Sequence, residues 1–405
     1  MLITYADSIR GEGEVPLQSL KNFLDEYLAD VCGRVHILPF FPSSSDDGFA
    51  VIDYRMVDHH VGSWQDIEAL AFDFDVMFDL VINHCSRESL WFADFVSGRE
   101  PGKNYFITLP EESDTSAVAR PRSTPLITAI HTYGGIRHVW NTFSDDQIDL
   151  DFSNPDVLCE FIDILFFYIA RGAHLIRLDA VGYLWKRLGS SCLNLTEAHT
   201  VVRLLRVLVE EAAPEVKLIT ETNVPHEQNV SYFGDGTNEA QMVYNFSLPP
   251  LTLHAFHTGN ATLLSNWASN LRLPSDQVTF FNFLSSHDGI GVTPAKGLLT
   301  EDEILSMANR VQALGGEVSY KTNHDGTQSP YELNINYMDA LGDPSKKETT
   351  RDISARFLAS QAIMLTLQGV PGIYFHSLFG SENWIDGIAE TGQKRSINRE
   401  KLRYV

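Results

Sequence analysis

Short apolar runs and longer amphipathic segments alternate along this chain of 405 residues. A run of four to eight apolar residues bounded by turn residues is typical of a buried parallel strand. Such runs lie at residues 2–6, 35–39, 76–84, 174–180, 217–222, 242–246, 279–288 and 372–375. Helical periodicity separates several of them, at residues 156–171, 197–212 and 353–367. Strands that alternate with helices predict βα units, and eight of them predict an α/β fold with a closed (β/α)8 TIM barrel.

Two stretches are too long to be simple connections. Residues 85–150 follow the third strand, are rich in Pro, Gly, Ser and Thr, and predict an inserted subdomain. Residues 292–345 follow the seventh strand and predict a second insertion on the catalytic face. Residues 1–84 and 151–405 are then assigned to the barrel. The last predicted strand ends at residue 375 and the chain at 405, which leaves open whether the chain is a fragment of a longer protein.

Composition and charge narrow the classes of partner. With 44% hydrophobic and 20% charged residues, the chain is typical of a soluble globular protein. Its formal charge of −23 argues against nucleic acids and anionic membranes as partners. We find no secretory signal, no apolar run of ~20 residues that could span a bilayer, and no paired spacing among the four cysteines. We therefore expect a cytoplasmic protein, and leave open whether it is a monomer or a homodimer.

Three acidic residues stand where predicted strands end: Asp179, Glu221 and Asp288. In a parallel α/β barrel, this end of the strands carries the active site. Two carboxylates on one rim suit a glycosidic bond, because its cleavage needs an acid for the leaving oxygen and a second carboxylate opposite it. Taken singly, each residue could equally be a solvated loop acid.

Four motifs surround these acids in order along the chain: Asp79-Leu-Val-Ile-Asn-His84, Ile176-Arg-Leu-Asp-Ala-Val-Gly-Tyr183, Ile219-Thr-Glu-Thr222 and Ser286-His-Asp-Gly289. Together they resemble the α-amylase family, glycoside hydrolase family 13, and within it the sucrose phosphorylase-like subfamily. The resemblance covers nearly the whole chain. It also implies a C-terminal β-domain, for which the residues after the predicted barrel leave no room.

The resemblance implies Asp179 as nucleophile, Glu221 as general acid/base, and Asp288 as the carboxylate that holds the sugar hydroxyls and favours the distorted ring. A retaining double displacement needs an ionised carboxylate under the anomeric carbon and a protonated one ~5–5.5 Å away. Arg177 points to the same side of its strand as Asp179 and would keep it ionised. The alternative for this pair is a buried ion pair that ties strands together.

Further sugar contacts follow from the resemblance alone, at Asp46, Phe49, His84, Gln147, Arg177, His287 and Arg399. Without the resemblance, the segment 43–49 would be interpreted as a turn, and His84 and His287 would each be interpreted as a structural residue. Metal binding by the two histidines is not expected, because no third ligand accompanies them at a suitable spacing.

The two insertions carry the residues that the resemblance assigns to phosphate and acceptor. It places phosphate-binding residues at Arg122, Lys321 and Tyr331, and an acceptor contact at Glu332. Two arginines around a proline, as at 120–122, are often only a solvated loop. A phosphate nucleophile, however, needs local positive charge on so acidic a chain. Sucrose enzymes of the subfamily carry glutamine where this chain has Glu332, which argues against fructose as the leaving group.

These observations predict a retaining glucoside phosphorylase that uses inorganic phosphate as co-substrate and needs no metal or organic cofactor. The donor implied by the resemblance is 2-O-α-glucosylglycerate, with sucrose and sucrose 6′-phosphate as alternatives. A hydrolase with the same three acids would use water, and Arg122 argues against it. A non-catalytic amylase-like binding subunit would be expected to lose catalytic carboxylates, whereas all three are present.

Overall fold

A computed structural model describes residues 1–323 and 326–404. Residues 324 and 325 of the predicted second insertion, and residue 405 of the predicted barrel, lie outside the described residues. Within them the strands are β1 Leu2–Thr4, β2 Ile9–Gly11, β3 Arg34–Ile37, β4 Asp75–Val81, β5 His84–Ser86, β6 Thr108–Leu109, β7 Ile127–Thr132, β8 Gly135–Trp140, β9 Gln147–Asp149, β10 Ala173–Asp179, β11 Lys217–Thr220, β12 Met242–Tyr244, β13 Thr279–Phe283, β14 Ile290–Gly291, β15 Glu317–Thr322, β16 Gln328–Asn334, β17 Val370–Tyr374 and β18 Leu402–Tyr404.

The helices include those predicted from periodicity, each within three residues at its start and one at its end. They are α1 Pro16–Tyr27, α2 Trp64–Asp73, α3 Leu90–Ser97, α4 Pro155–Ala170, α5 Thr196–Ala212, α6 His226–Val230, α7 Leu248–Thr258, α8 Thr262–Asn270, α9 Glu301–Ala313, α10 Tyr337–Ala340, α11 Thr350–Thr366, α12 Phe375–Phe379 and α13 Ile385–Thr391. Capping boxes start α2, α9 and α11, because Ser or Thr followed by an acid three residues later satisfies backbone donors at a helix start. Among the described residues, no helix combines the length and the apolar composition that crossing a bilayer requires.

Eight strands close into a barrel in the order β1-β17-β13-β12-β11-β10-β4-β3. The predicted (β/α)8 barrel is therefore confirmed. The boundaries predicted for the two insertions stay a prediction. The chain divides into two compact units, each of which combines segments that are distant in sequence.

The first unit contains residues 5–221 and the described residues between 321 and 328. Its barrel strands β3, β4, β10 and β11 pair in parallel. Six of the seven residues of β4 are buried, as are six of the seven of β10, which is typical of strands covered on both faces. Two of these buried residues, Asp79 and Arg177, are charged and pair across the strands in register. Outside the barrel, β6, β8 and β7 form an antiparallel sheet.

The second unit contains residues 1–4, 222–320 and 329–403. Parallel strands β1, β17, β13 and β12 belong to it, and α7, α9 and α11 contribute to its apolar core. Strand β14 pairs antiparallel with β16, so that Gly291 stands opposite Glu332.

Two predicted strands extend at least three residues too far, and both errors fall on candidate site residues. The run 279–288 is a strand only to Phe283, because the chain then turns and the hydroxyl of Ser286 accepts the N–H of Asp288 at 3.2 Å. The run 76–84 ends as β4 at Val81, and His84 begins the separate strand β5, which pairs antiparallel with β9. An apolar run cannot show where a strand gives way to a turn that carries polar site residues.

Candidate active site

Asp179 is the last residue of β10, and Arg177 precedes it by two positions on the same face of the strand. The Nη1 of Arg177 donates to Oδ1 of Asp179 at 2.8 Å and also contacts Oδ1 of Asp79. Arg177 is 1% exposed and Asp179 7%. The predicted Arg177–Asp179 pair is therefore present, and it includes a third residue, Asp79, as a partner.

Glu221 follows β11 directly and reaches the same guanidinium. Its Oε2 accepts the backbone N–H of Ala180 at 3.0 Å and lies 3.9 Å from Nη2 of Arg177. Ala180 adopts φ +50°, in the left-handed region that residues with a Cβ seldom occupy. Because Arg177 contacts both Asp179 and Glu221, the structure brings these two acids to one cation. Their predicted carboxyl separation of roughly 5–6 Å stays a prediction.

Asp79 and His36 are the fully buried residues of this arrangement. His36 Nε2 lies 2.7 Å from Oδ2 of Asp79, and both side chains are fully buried. Burial alone would raise the pKa of Asp79, but Arg177 and His36 outweigh it and hold that pKa below its usual value. Burial also lowers the pKa of His36. Asp79 is consequently an ionised carboxylate that fixes the Arg177 guanidinium beside Asp179.

Four further predicted sugar contacts lie together in the same unit. His84 Nε2 is 3.0 Å from the carbonyl oxygen of Phe49 and 3.1 Å from Nε2 of Gln147, which is itself 3.2 Å from Oδ2 of Asp46. The Phe49 ring lies 5.7 Å from the Arg177 guanidinium. Burial lowers the pKa of His84, so its imidazole is neutral near pH 7 and can hydrogen-bond without adding charge.

The segment predicted as a turn has an unusual backbone. Asp46 and Asp47 both have positive φ, at 54° and 47°. Gly48 has φ +109°, and a Cβ there would lie 2.6 Å from the carbonyl oxygen of Pro39. Strained backbone of this kind concentrates at functional sites. The backbone conformation of residues 46–48 sets the directions of the Asp46 and Phe49 side chains.

The remaining predicted sugar and acceptor residues, together with Asp288, belong to the second unit. His287 Nε2 lies 3.5 Å from Oδ1 of Asp288. Arg399 donates from Nε to the carbonyl oxygen of His287 at 2.8 Å, and its Nη2 lies 3.8 Å from Oδ1 of Asp288. Glu332 is 1% exposed and pairs with Arg395, a residue that the sequence analysis missed. The one sequence signal for Arg395 is that it shares a short basic segment with Arg399.

Another missed residue is Lys186. Its side chain is 5% exposed, and its ammonium lies 2.5 Å from Oδ2 of Asp149 and 2.7 Å from Oδ1 of Asn83, next to His84. Lysine is almost never fully buried unless paired, and nothing in the sequence around residue 186 indicates such a pairing. Lys186 thereby connects Asn83, which precedes the predicted inserted subdomain, to Asp149 near the end of that subdomain.

The residues predicted to bind phosphate lie in three different segments of the chain. Arg122 is half-buried between β6 and β7, Lys321 is half-buried in β15, and Tyr331 is buried in β16. Their role stays a prediction. In the described part of the chain, the one group of His and acidic side chains close enough to hold a metal is Asp58, His59 and His60. The two histidines are exposed, and none of the three is a predicted site residue.

Known proteins similar to this chain include enzymes that act on glucosides. The family model of the alpha-amylase catalytic domain matches residues 20–294. The glucosylglycerate phosphorylase of Allomeiothermus silvanus is 50% identical over 402 residues, covering 99% of this chain and 72% of that protein. The glucosylglycerate phosphorylase of Spirochaeta thermophila is 50% identical over 404 residues, covering 100% of this chain and 68% of that protein. The crystal structure of sucrose 6F-phosphate phosphorylase from Thermoanaerobacter thermosaccharolyticum matches with a TM-score of 0.86 at 29% identity, over 99% of this chain and 81% of that one.

Proposed function

The chain belongs to the alpha-amylase family, as a glucoside phosphorylase of its sucrose phosphorylase-like branch, and we propose that it catalyses the reversible phosphorolysis of 2-O-α-glucosylglycerate. One observation carries the choice of donor: the chain is 50% identical, over 99% of its length, to a glucosylglycerate phosphorylase. The products are α-glucose 1-phosphate and glycerate.

The reaction proceeds by double displacement. Asp179 attacks the anomeric carbon while Glu221 gives its proton to the glycosidic oxygen, so that the C–O bond breaks and glycerate leaves. Phosphate then attacks the anomeric carbon of the β-glucosyl-enzyme from the face that glycerate left. The bond from this carbon to Asp179 breaks, which frees the carboxylate, and phosphate returns a proton to Glu221. The net result is retention. Arg177, held by Asp79, supports this assignment, because a cation 2.8 Å from Asp179 favours the ionised nucleophile.

We assign the glucosyl unit to the predicted sugar contacts. His84, Gln147 and Asp46 offer adjacent polar atoms, and Phe49 offers an apolar face. Asp288 would hold the ring hydroxyls as the ring distorts, with His287 and Arg399 beside it. The support for this assignment is that these side chains are buried or half-buried and joined by hydrogen bonds or close polar contacts in their respective units.

Arg122, Lys321 and Tyr331 are assigned to phosphate, which enters as a co-substrate without a metal or organic cofactor. Arginine suits this task because its planar fork matches phosphate oxygens. We place the enzyme in the cytoplasm, as a monomer or a homodimer. The four unpaired cysteines support a reducing compartment.

The test is the release of glucose 1-phosphate from a panel of α-glucosides. The panel contains 2-O-α-glucosylglycerate, sucrose and sucrose 6′-phosphate, each with and without phosphate. We expect phosphate-dependent release from the first donor at a kcat/KM far above the other two. A preference for sucrose or sucrose 6′-phosphate would make that compound the donor in place of 2-O-α-glucosylglycerate. If free glucose were released without phosphate as fast as with it, the protein would be a hydrolase.

A further inference from the structure

Arg395 joins two carboxylates that the sequence analysis assigned to different tasks, Asp288 to the donor sugar and Glu332 to the acceptor. It lies in a 3-10 helix spanning Lys394–Asn398. Its Nε donates to Oε2 of Glu332 at 3.1 Å and its Nη2 to Oε1 at 2.8 Å. Its Nη1 lies 2.6 Å from Oδ1 of Asp288. One guanidinium therefore holds both acids, and all three residues belong to the second unit.

The backbone brings the two acids close together. Gly291 pairs with Glu332 across β14 and β16. A Cβ at Gly289 would lie 2.6 Å from Cγ of Glu332 and 2.7 Å from the carbonyl oxygen of Leu333. The turn that carries Asp288 can approach β16 this closely only because residue 289 is glycine. The positions of the two carboxylates are thus set before any substrate binds.

Charge then decides what Glu332 can do. At 1% exposure its carboxylate requires polar partners within the protein, and both of its oxygens accept from Arg395. A glutamine at this position has one acceptor oxygen and no charge, so it could not offer the arginine fork two anionic oxygens in parallel. The pairing with Arg395 therefore gives residue 332 a structural reason to be a carboxylate.

We infer that Arg395 is a positioning residue: Glu332 fixes its guanidinium, and the guanidinium holds Asp288 ionised and oriented for the glucosyl transition state. The inference deepens the proposed function and rests on it in assigning Asp288 to the sugar. Without Arg395, both Glu332 oxygens would lose their guanidinium donors, and Asp288 would keep the Arg399 guanidinium at 3.8 Å. Two carboxylates in one site resist joint ionisation.

The experiment compares R395Q, E332Q, R395K and the double variant R395Q/E332Q on α-glucosyl fluoride in water. This donor needs neither protonation of its leaving group nor glycerate, so kcat reports the glucosyl side alone. We expect R395Q to lose about a hundredfold or more in kcat, the range seen when a preorganised electrostatic contact is removed. R395Q/E332Q should recover at least about tenfold over R395Q, because the unpaired second charge is gone. R395K, which keeps the charge but not the fork, should fall between wild type and R395Q.

R272Q is the matched control, since Arg272 is exposed and donates only to nearby backbone carbonyls among its described contacts. Melting temperatures show whether each variant folds. If R395Q does not fold, the comparison of the double variant with wild type still tests the inference. A double variant no better than R395Q would overturn the charge bridge. So would unchanged kcat in R395Q with only a raised KM for glycerate in the synthetic direction, which would make Arg395 an acceptor ligand. If wild type cleaves α-glucosyl fluoride but not 2-O-α-glucosylglycerate, the proposed donor fails while the Arg395 pattern is still tested.

Discussion

Two clusters in this protein each place one arginine between two carboxylates, and they are built from different parts of the fold. The Arg177 cluster consists of Arg177, Asp79 and Asp179, and the Arg395 cluster of Arg395, Asp288 and Glu332. In each, one guanidinium contacts a carboxylate assigned to catalysis and a second carboxylate that is at most 1% exposed. The buried carboxylate holds the arginine, and the arginine contacts the acid to which we assign a catalytic role.

The clusters differ in what fixes them. Arg177 and Asp79 are register partners on adjacent barrel strands, so main-chain hydrogen bonds set their distance. The Arg395 cluster gathers a turn, an antiparallel strand and a 3-10 helix that are far apart in sequence. Its arginine and catalytic acid are also more exposed, at 17% and 20% of their side chains against 2% and 10%. We therefore expect removal of the arginine to cost more stability in the Arg177 cluster.

The largest effect should come from Asp179, the proposed nucleophile, which belongs to the Arg177 cluster. Asp179→Asn keeps side-chain volume but removes the attacking carboxylate, so kcat should fall by at least about a thousandfold. The melting temperature should change little. Asp163→Asn, an exposed change on α4, is the control. In Glu221→Gln, by contrast, a donor whose leaving group needs no proton should still glucosylate Asp179, and mass spectrometry would detect the adduct. Near wild-type turnover in Asp179→Asn would mean that another residue is the nucleophile.

Arg177→Met should give the next largest effect, on stability as well as on rate. Removing one partner of a buried charge pair leaves the others uncompensated, which typically costs about 3–5 kcal/mol. Arg34→Met removes a half-exposed arginine paired with Asp75, for which we expect about 0–1 kcal/mol. Urea unfolding measures both. Equal losses in the two variants would show that Asp79 and Asp179 do not depend on Arg177.

This difference between the clusters also explains what the sequence could and could not predict. Arg177 and Asp179 follow from strand alternation, because residues two apart share a face. Asp79 stands in a recognised motif, but its contact with Arg177 depends on strand register, which one sequence does not give. Arg395 and Lys186 were missed for a related reason. Each becomes meaningful only when distant segments meet, and neither has a local pattern that separates it from a solvated basic residue.

Arg122 belongs to neither cluster and should have a narrower effect. If it binds phosphate, Arg122→Ala should raise the KM for phosphate by tenfold to about a hundredfold, the loss expected for a charged hydrogen bond of ~1.5–3 kcal/mol. The share of free glucose among the products should rise. Arg120→Ala is the matched control, since Arg120 is a near neighbour that donates to the carbonyl oxygen of Thr124. An unchanged product ratio in Arg122→Ala would leave Lys321 as the next candidate.

The smallest effect distinguishes the clusters by pH, because His36, a titratable residue, contacts Asp79 of the Arg177 cluster. Burial lowers the pKa of folded His36, whereas the unfolded chain binds this proton near pH 6.5. Below that pH the unfolded state binds more protons, so the free energy of unfolding falls as the pH falls, by at most about 1.4 kcal/mol per unit from this one group. His36→Gln keeps a donor for Asp79 and removes the titration, so its stability should depend less on pH between 6.5 and 5. His131→Gln, an exposed change, should leave the slope as in wild type. Chemical denaturation at several pH values measures the slopes, and parallel curves for wild type and His36→Gln would exclude His36 as a source of the acid sensitivity.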